Sequence, residues 1–413
     1  METACCVVGG GPAGVVGAFL LARQGVPVVL LEMHRTFDRE FRGDTIHPST
    51  MEILDQVGLA DRLLDLPHAK ARTLSVVSAE GRFVVADFSR LKTRFQYITM
   101  MPQAQFLDFL VKEAQKLPGF QVIMNANVEA LIEDTGVVRG VRYVGADGEK
   151  RELRALLTIG ADGRFSRVRH LAGFEAVKQA PPMDVLWIRL PRDASAPDEG
   201  SGELYFGSGE FVVLFGRGDY WQVGYVIPKG GYQKLKAAGV DALKQAVART
   251  APPVKYAVQH LKDWGDVSLL SVESSRVPKW SRAGLLLIGD AAHVMSPVGG
   301  VGINYAIQDA VAASNLLGPK LKAGAIKADD LEAVQRKREP AVRKIQSVQA
   351  IVQKRVVSEA LSNSGRPFRV PLPIRVVSKL SILRGLPAHV VGFGFDRERV
   401  EEPAARVTTA SPH

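Results

Sequence analysis

Three glycine-rich segments in this sequence have the residue types and spacing that bind a dinucleotide. The first is the pattern Gly9-x-Gly11-x-x-Gly14, which lies between an apolar stretch at 4–8 and a helical stretch. Glycine permits a tight turn and a close approach of the backbone to a pyrophosphate, and the helix amino terminus attracts its negative charge. Glu32 closes the next apolar stretch, where a carboxylate accepts hydrogen bonds from ribose hydroxyls. In this context a plain glycine turn is the weaker interpretation.

The other two segments each place an aspartate at the end of a predicted strand. Asp162 and Gly163 follow the apolar stretch 156–159, and Asp290 follows the apolar stretch 285–288. Ligands of open α/β sheets bind at the carboxyl ends of the strands. The first pattern alone does not distinguish NAD from FAD, but the three strand ends together favour FAD.

With these motifs, the chain resembles the para-hydroxybenzoate hydroxylase family of FAD-dependent aromatic monooxygenases over residues 4–357. The Asp-Gly-x-x-Ser-x-x-Arg motif of that family is matched by Asp162, Gly163, Ser166 and Arg169, and it supports binding of FAD and of NADH or NADPH. The resemblance continues through 297–304, whose backbone amides would face the flavin pyrimidine ring. A helix amino terminus there would stabilise the negative charge of reduced flavin.

The motifs and the resemblance together predict a set of cofactor contacts. They are Gly9, Gly11, Pro12, Ala13, Gly14, Glu32, Met33, Arg42, Gln103, Val128, Asp162, Gly163, Asp290, Pro297, Gly300, Gly302 and Ile303. Arg42, Gln103 and Val128 rest on the resemblance alone. The first two would contact the pyrophosphate or the ribityl chain, and Val128 would contact the adenine.

Apolar periodicity and the resemblance predict an α/β fold with three parts. A Rossmann-like FAD-binding domain of the GR2 type would be discontinuous, over 1–72, 97–178 and 265–330. An antiparallel-sheet substrate domain would comprise 73–96 and 179–264, and a helical region would follow over 331–413. Single helices are predicted over 48–66 and 105–117.

The resemblance also implies a reaction. NADH or NADPH would reduce FAD, O2 would add at the flavin C4a atom, and the hydroperoxide would pass one oxygen to a small aromatic or polyketide-like substrate. The substrate sheet would exclude water.

The candidate substrate-lining residues are Tyr205, Phe206, Val213, Phe215, Tyr225 and Pro297, although core packing is at least as common for such side chains. No general base stands out. His47 falls near the expected flavin ring and is a weak candidate for proton relay, because a satisfied loop histidine is the more common case.

Composition narrows the possible partners. Hydrophobic residues make up 46% and charged residues 23%, and the formal net charge is +10. The basic residues are scattered and not interleaved with aromatics, which argues against nucleic-acid binding. Cys5 and Cys6 are adjacent and cannot link distant segments, so we expect a reducing, cytoplasmic location. We expect no metal site and either a monomer or a homodimer.

The basic segment 366–395 contains prolines that predict short helical pieces. It could contact a membrane or cover the active site, but packing on the body of the protein is the favoured interpretation.

Three other functions stay open. They are a flavin-dependent halogenase, of whose Trp-x-Trp-x-Ile-Pro motif only Ile227 and Pro228 match, a flavin reductase acting on isoprenoid double bonds, and a non-catalytic flavin sensor.

Overall fold

The structure of the protein is a computed structural model that describes residues 1–38, 44–193, 200–362 and 366–401. The helices are α1 (Pro12–Arg23), α2 (Pro48–Gln56), α3 (Ala60–Leu64), α4 (Gln103–Ala114), α5 (Arg167–Leu171), α6 (Tyr232–Ala237), α7 (Val240–Thr250), α8 (Gly302–Lys322), α9 (Ala328–Val352), α10 (Ser358–Ala360), α11 (Leu372–Lys379) and α12 (Gly385–Phe393). The strands are β1 (Glu2–Val8), β2 (Val28–Leu31), β3 (Thr45–Ile46), β4 (Ala69–Ala71), β5 (Thr73–Ser78), β6 (Gly81–Asp87), β7 (Ile98–Met100), β8 (Phe120–Ile123), β9 (Asn127–Asp134), β10 (Val137–Val144), β11 (Lys150–Gly160), β12 (Val177–Gln179), β13 (Met183–Pro191), β14 (Ser201–Phe206), β15 (Phe211–Gly216), β16 (Tyr220–Pro228), β17 (Val267–Leu270), β18 (Ser274–Arg276), β19 (Ser281–Arg282), β20 (Leu285–Leu287) and β21 (His293–Val294).

An eight-stranded sheet carries the glycine-rich motifs. Its main order is β19-β20-β11-β1-β2-β8, and β10 and β9 extend it from β11. The pairs from β20 through β8 are parallel. Helices cover such a sheet, which is why β2 is buried along its whole length. Gly17 of α1 lets α8 approach closely, since a Cβ there would lie 3.5 Å from the Cβ of Ala310.

A seven-stranded sheet forms the second layer, in the order β17-β13-β16-β15-β14-β5-β6. Every pair is antiparallel except β14 with β5, so β5 and β6 join strands that lie more than a hundred residues later in the chain. One face packs on α7 through Leu243 and Val247. The other face, called here the inner face, packs around Phe206 and Phe211 together with Phe368 of the carboxyl-terminal segment.

The predicted fold class is confirmed, while the helix predicted over 48–66 is two helices, α2 and α3. Gly58 lies between them with φ +74°, a conformation that ends a helix.

The carboxyl-terminal segment returns to the body of the protein, where Ala388 and Phe393 pack with Phe88 and Leu91. Within the described ranges no single helix is long and apolar enough to span a membrane, and Leu372–Lys379 with Ser381–Phe393 meet that test only as a pair bent by 109°.

Candidate cofactor and substrate site

Four adjacent parallel strands bring the motif residues to one edge of the large sheet. In the order β20-β11-β1-β2, the strand ends are followed by Gly289, Asp162, Gly9 and Glu32. Parallel strands end on the same side, so residues far apart in sequence form one row. This edge has the geometry at which open α/β sheets bind ligands.

The glycines of the first motif have different structural roles. Gly9 has φ +105°, and a Cβ there would lie 2.5 Å from the carbonyl oxygen of Ala161. A Cβ at Gly14 would lie 1.9 Å from the carbonyl oxygen of Gly9. At Gly11 the nearest such atom is 3.9 Å away, and its φ of −77° suits any residue. The fold itself requires Gly9 and Gly14, whereas the space in front of Gly11 is open and can admit a ligand.

The amino terminus of α1 offers backbone donors to that ligand. Gly11 is its N-cap and makes no side-chain capping hydrogen bond, and Pro12 has no N–H to donate. Amides of the first turn, including that of Ala13, have no acceptor within the helix. These donors and the helix dipole fit a pyrophosphate.

Glu32 is fixed beside this turn. Its carboxylate is buried and accepts hydrogen bonds from the amides of Gly10 at 2.7 Å and His34 at 2.9 Å. A carboxylate has about four lone-pair sites, so ribose hydroxyls can still donate to it. Met33, which follows, is 59% exposed.

The second motif forms a brace between two strand ends. Asp162 accepts hydrogen bonds from the Ser166 hydroxyl and from the Val168 amide at 3.0 Å. Burial raises the pKa of Asp162, although these hydrogen bonds oppose the shift. The Arg169 guanidinium donates to the carbonyl oxygens of Arg164 at 2.8 Å and Ala291 at 3.1 Å, which ties β11 to the turn after β20. This side chain therefore holds the second and third motifs in register.

A buried ionic cluster supports the third motif. The Asp309 carboxylate accepts from the Gly289 amide at 3.1 Å, lies 2.6 Å from Nε2 of His293, and accepts from Nε of Arg338 at 3.0 Å. All three side chains are at most 1% exposed. Burial raises the pKa of Asp309, but His293 and Arg338 outweigh it and hold that pKa below its usual value. The cluster fixes the turn that carries Asp290, which is half-buried.

Three glutamines position the loop that precedes α8. Gln349 donates to the carbonyl oxygens of Ser296 and Val298, both at 2.8 Å, and Gln353 donates to the Ser296 hydroxyl. Gln346 donates to a carbonyl oxygen just before the loop. Their spacing places them on one face of a continuous helical segment. The loop conformation is thus imposed from α9 and the turn after it.

His47 and Asn304 lie at the end of this loop, and each has a buried polar atom without a hydrogen-bond partner in the described part of the chain. Nδ1 of His47 lies 2.7 Å from the carbonyl oxygen of Val391, so that nitrogen carries the proton and Nε2 is an acceptor. Among the described residues, neither Nε2 of His47 nor Nδ2 of Asn304 has a partner. Burial lowers the pKa of His47 to about 4. Nε2 lies 3.7 Å from the Cβ position of the exposed Gly300, so an acceptor without a protein partner in the described ranges lies beside this loop.

The inner face of the smaller sheet offers a flat apolar surface to this loop. Strand register sets Leu204 beside Val213, Val213 beside Gly224, and Gly224 beside Trp187. A Cβ at Gly224 would lie 2.9 Å from the Trp187 ring, so glycine lets the indole lie flat across the strand. Val298 of the loop packs against the same cluster.

The predicted substrate residues divide between the two faces of this sheet. Phe206, Val213 and Phe215 lie on the inner face. Tyr205 and Tyr225 lie on the opposite face, where they pack with α7. Alternating side chains of a strand point to opposite faces, which is why Tyr205 and Phe206 cannot share one.

A polar cluster closes one end of the inner face. The buried Arg217 guanidinium donates to Oε1 of Gln222 at 2.9 Å and to the carbonyl oxygen of Asp44 at 2.9 Å, and it lies 3.2 Å from the Asp44 carboxylate. Burial lowers the pKa of Arg217 and raises that of Asp44, while the opposite charges counteract both shifts. The sequence analysis missed this pair, because no local pattern joins residues so far apart in the chain.

The family described as "FAD binding domain" matches residues 2–348. The chain belongs to this family and is an FAD-dependent monooxygenase. The 6-methylpretetramide 4-monooxygenase of Streptomyces rimosus is 35% identical over 391 residues, which is 93% of this chain and 91% of the relative. The rifampicin monooxygenase of Streptomyces venezuelae is 29% identical over 74% of this chain and 61% of its own.

Among solved structures, PqsL of P. aeruginosa in complex with 2-aminobenzoylacetate has a TM-score of 0.75 at 20% identity. The match covers 88% of this chain and 98% of that one. At this level of identity the likeness concerns the fold of the two proteins.

The remaining predicted contacts of the monooxygenase have definite places. Gln103 begins α4, and its amide donates to Asp44 at 3.4 Å. Val128 is buried in β9, which pairs with β10 in the eight-stranded sheet. Gly163, Pro297, Gly302 and Ile303 are half-buried at the strand end and loop described above. Arg42 lies outside the described residues.

Proposed function

We propose that this monooxygenase hydroxylates a planar, multi-ring aromatic or polyketide-like substrate. The observation that supports this proposal is the apolar row formed by Leu204, Val213, Gly224 and Trp187. With neighbouring strands about 4.8 Å apart, three intervals give a row of about 14 Å, which suits several fused rings better than one. The related enzyme that acts on 6-methylpretetramide is consistent with such a substrate.

FAD, reduced by NADH or NADPH, supplies the activation of O2 and the transfer of one oxygen atom to the substrate. The residues of this chain would bind the cofactor and orient the substrate. The α1 turn and Glu32 would hold the dinucleotide, and the glutamine-braced loop would present amides to the flavin ring. Nε2 of His47 would accept a hydrogen bond from a bound ligand, and the imidazole stays neutral at pH 7 because burial lowers its pKa to about 4.

The inner face and its polar end would orient the substrate. The flat row excludes water and fits an aromatic surface, while the cluster of Arg217 and Gln222 offers charge and hydrogen bonds to a phenol or enol oxygen at one edge. A ring system that is hydrogen-bonded at one edge and covered on one face has few orientations, which favours oxygen transfer to one carbon.

The proposal is tested with the purified, FAD-loaded enzyme and a panel of one-ring to four-ring phenols. Substrate-stimulated oxidation of NADH or NADPH should increase with ring number, and product formed under labelled O2 should carry the label. Product containing only water oxygen, or turnover that requires halide, would refute hydroxylation. Greatest stimulation by one-ring phenols would refute the multi-ring assignment.

Gly224→Ala tests the row directly. The added methyl group displaces the Trp187 indole, from which it would lie 2.9 Å, so kcat/KM for multi-ring substrates should fall about tenfold or more. Tyr225→Phe is the matched control, since the neighbouring side chain lies on the opposite face. Equal effects of the two substitutions would exclude this row as the substrate surface.

A further inference from the structure

The carboxyl-terminal helices display large apolar side chains to solvent. Leu372, Ile382 and Leu386 are 72%, 77% and 66% exposed, and Val376 and Leu380 are 40% and 53% exposed. These five residues are called here the tail face. In α11 and just after it, positions 372, 376 and 380 have the four-residue spacing of one helical stripe.

The tail face belongs to a segment whose other side is fixed on the protein. The Val370 amide donates to the Glu80 carboxylate at 2.9 Å, and Arg375 makes two hydrogen bonds to the same carboxylate at 2.7 and 2.8 Å. The Phe368 ring stacks on Phe206 with centroids 4.4 Å apart. Ile374 packs into the core of the inner face. The apolar stripe therefore has a fixed outward orientation.

The segment that carries the tail face is basic, with Arg375 paired to the Glu80 carboxylate of the neighbouring turn. Residues 366–395 contain no aspartate or glutamate, and their arginines and lysine are Arg366, Arg369, Arg375, Lys379 and Arg384. Arg366 and Arg369 are exposed in the segment before α11, and Lys379 is exposed at its end. A symmetric dimer through this surface would bring like charges together, since both copies present the same patch. The charge pattern is complementary to an anionic partner.

We propose that the tail face docks this enzyme on the surface of an anionic lipid bilayer. Leucine, isoleucine and valine side chains insert shallowly between lipids, while adjacent arginines and lysine meet the phosphates. Among the described residues no single helix is long and apolar enough to cross a bilayer, and the two helices of this segment are bent by 109° relative to each other.

Vesicle co-sedimentation of the FAD-loaded enzyme tests this proposal. Vesicles of phosphatidylcholine with 30% phosphatidylglycerol, a composition chosen for the assay, should bind the enzyme at least tenfold more tightly at low salt than phosphatidylcholine alone. High salt should reduce that binding, because it screens the phosphate contacts. No binding to the anionic vesicles, or equal binding to both kinds, would overturn the proposal.

The double substitution Ile382→Ser and Leu386→Ser should weaken binding to the anionic vesicles about a hundredfold, at about tenfold for each apolar side chain removed. Lys379→Gln should weaken it about fivefold. Val177→Ser is the control, because Val177 is 63% exposed in β12 and lies outside the tail face. FAD absorbance and melting temperature verify that each variant is folded.

Two results would contradict membrane docking through the tail face. If sedimentation velocity shows a dimer that the double substitution dissociates, while vesicles never bind, a second copy covers the tail face. If the control weakens binding as much as the double substitution, the attraction is not specific to this surface. Either result overturns membrane docking and leaves the proposed hydroxylase activity intact.

Discussion

Gly11→Ala separates ligand binding from folding within one turn. The backbone at Gly11 has φ −77° and ψ 179°, which alanine adopts freely, and the nearest atom to the new Cβ would be 3.9 Å away. The stability of the apoprotein should therefore change by less than about 1 kcal/mol. The methyl group occupies the ligand's side of the turn, however, and displaces the pyrophosphate from the first-turn amides. Loss of about two charge-assisted hydrogen bonds costs about 3 kcal/mol, which is a roughly hundredfold weaker Kd for FAD.

The assay measures FAD affinity by quenching of flavin fluorescence and apoprotein stability by circular dichroism. Gly14→Ala is the contrast, because its Cβ would lie 1.9 Å from the carbonyl oxygen of Gly9, so the folded apoprotein itself should be lost. Wild-type FAD affinity in Gly11→Ala would contradict the placement of the pyrophosphate. A melting temperature many degrees below that of the parent would contradict the assignment of this space to a ligand.

Three further predictions address the supports of the site. His47 stays neutral in the fold with a pKa of about 4, so the fold loses stability as pH falls from 6.5 toward 4, by about 3 kcal/mol, and denaturant melts of His47→Gln should show a smaller loss. Arg338→Met removes the guanidinium partner of the buried Asp309 carboxylate and should lower the free energy of unfolding by about 3–5 kcal/mol, whereas the exposed Arg336→Met should change it by under about 1 kcal/mol. Gln349→Leu releases the loop at Ser296 and should weaken FAD binding about tenfold in a titration, and an unchanged Kd would show that the loop holds without it.

The strand ends that carry the candidate cofactor contacts could be predicted because their signals are local. Gly9, Glu32, Asp162 and Gly289 each follow an apolar stretch directly, so a strand and its terminal residue can be identified together. Parallel pairing then places all of them on one edge without knowledge of the strand order. The fold class followed from the same pattern.

The substrate face could not be predicted from the same kind of signal. Strands β14 and β16 are buried on both faces, so Tyr205 and Phe206 are equally apolar in sequence and nothing marks which one points to the cleft. The pair Asp44 and Arg217 and the link between Asp309 and Arg338 depend on tertiary contacts across long stretches of chain. Such contacts have no periodicity to detect.

The carboxyl-terminal segment connects the two halves of the candidate site. Its Val391 carbonyl selects the tautomer of His47 and so determines that Nε2 is the acceptor beside Gly300. Its Phe368 ring extends the aromatic stack of Phe206 at the apolar end of the inner face. In the proposed site, one segment would fix both the acceptor on the flavin side and the wall on the substrate side, so a displacement of that segment would alter cofactor polarity and substrate fit together.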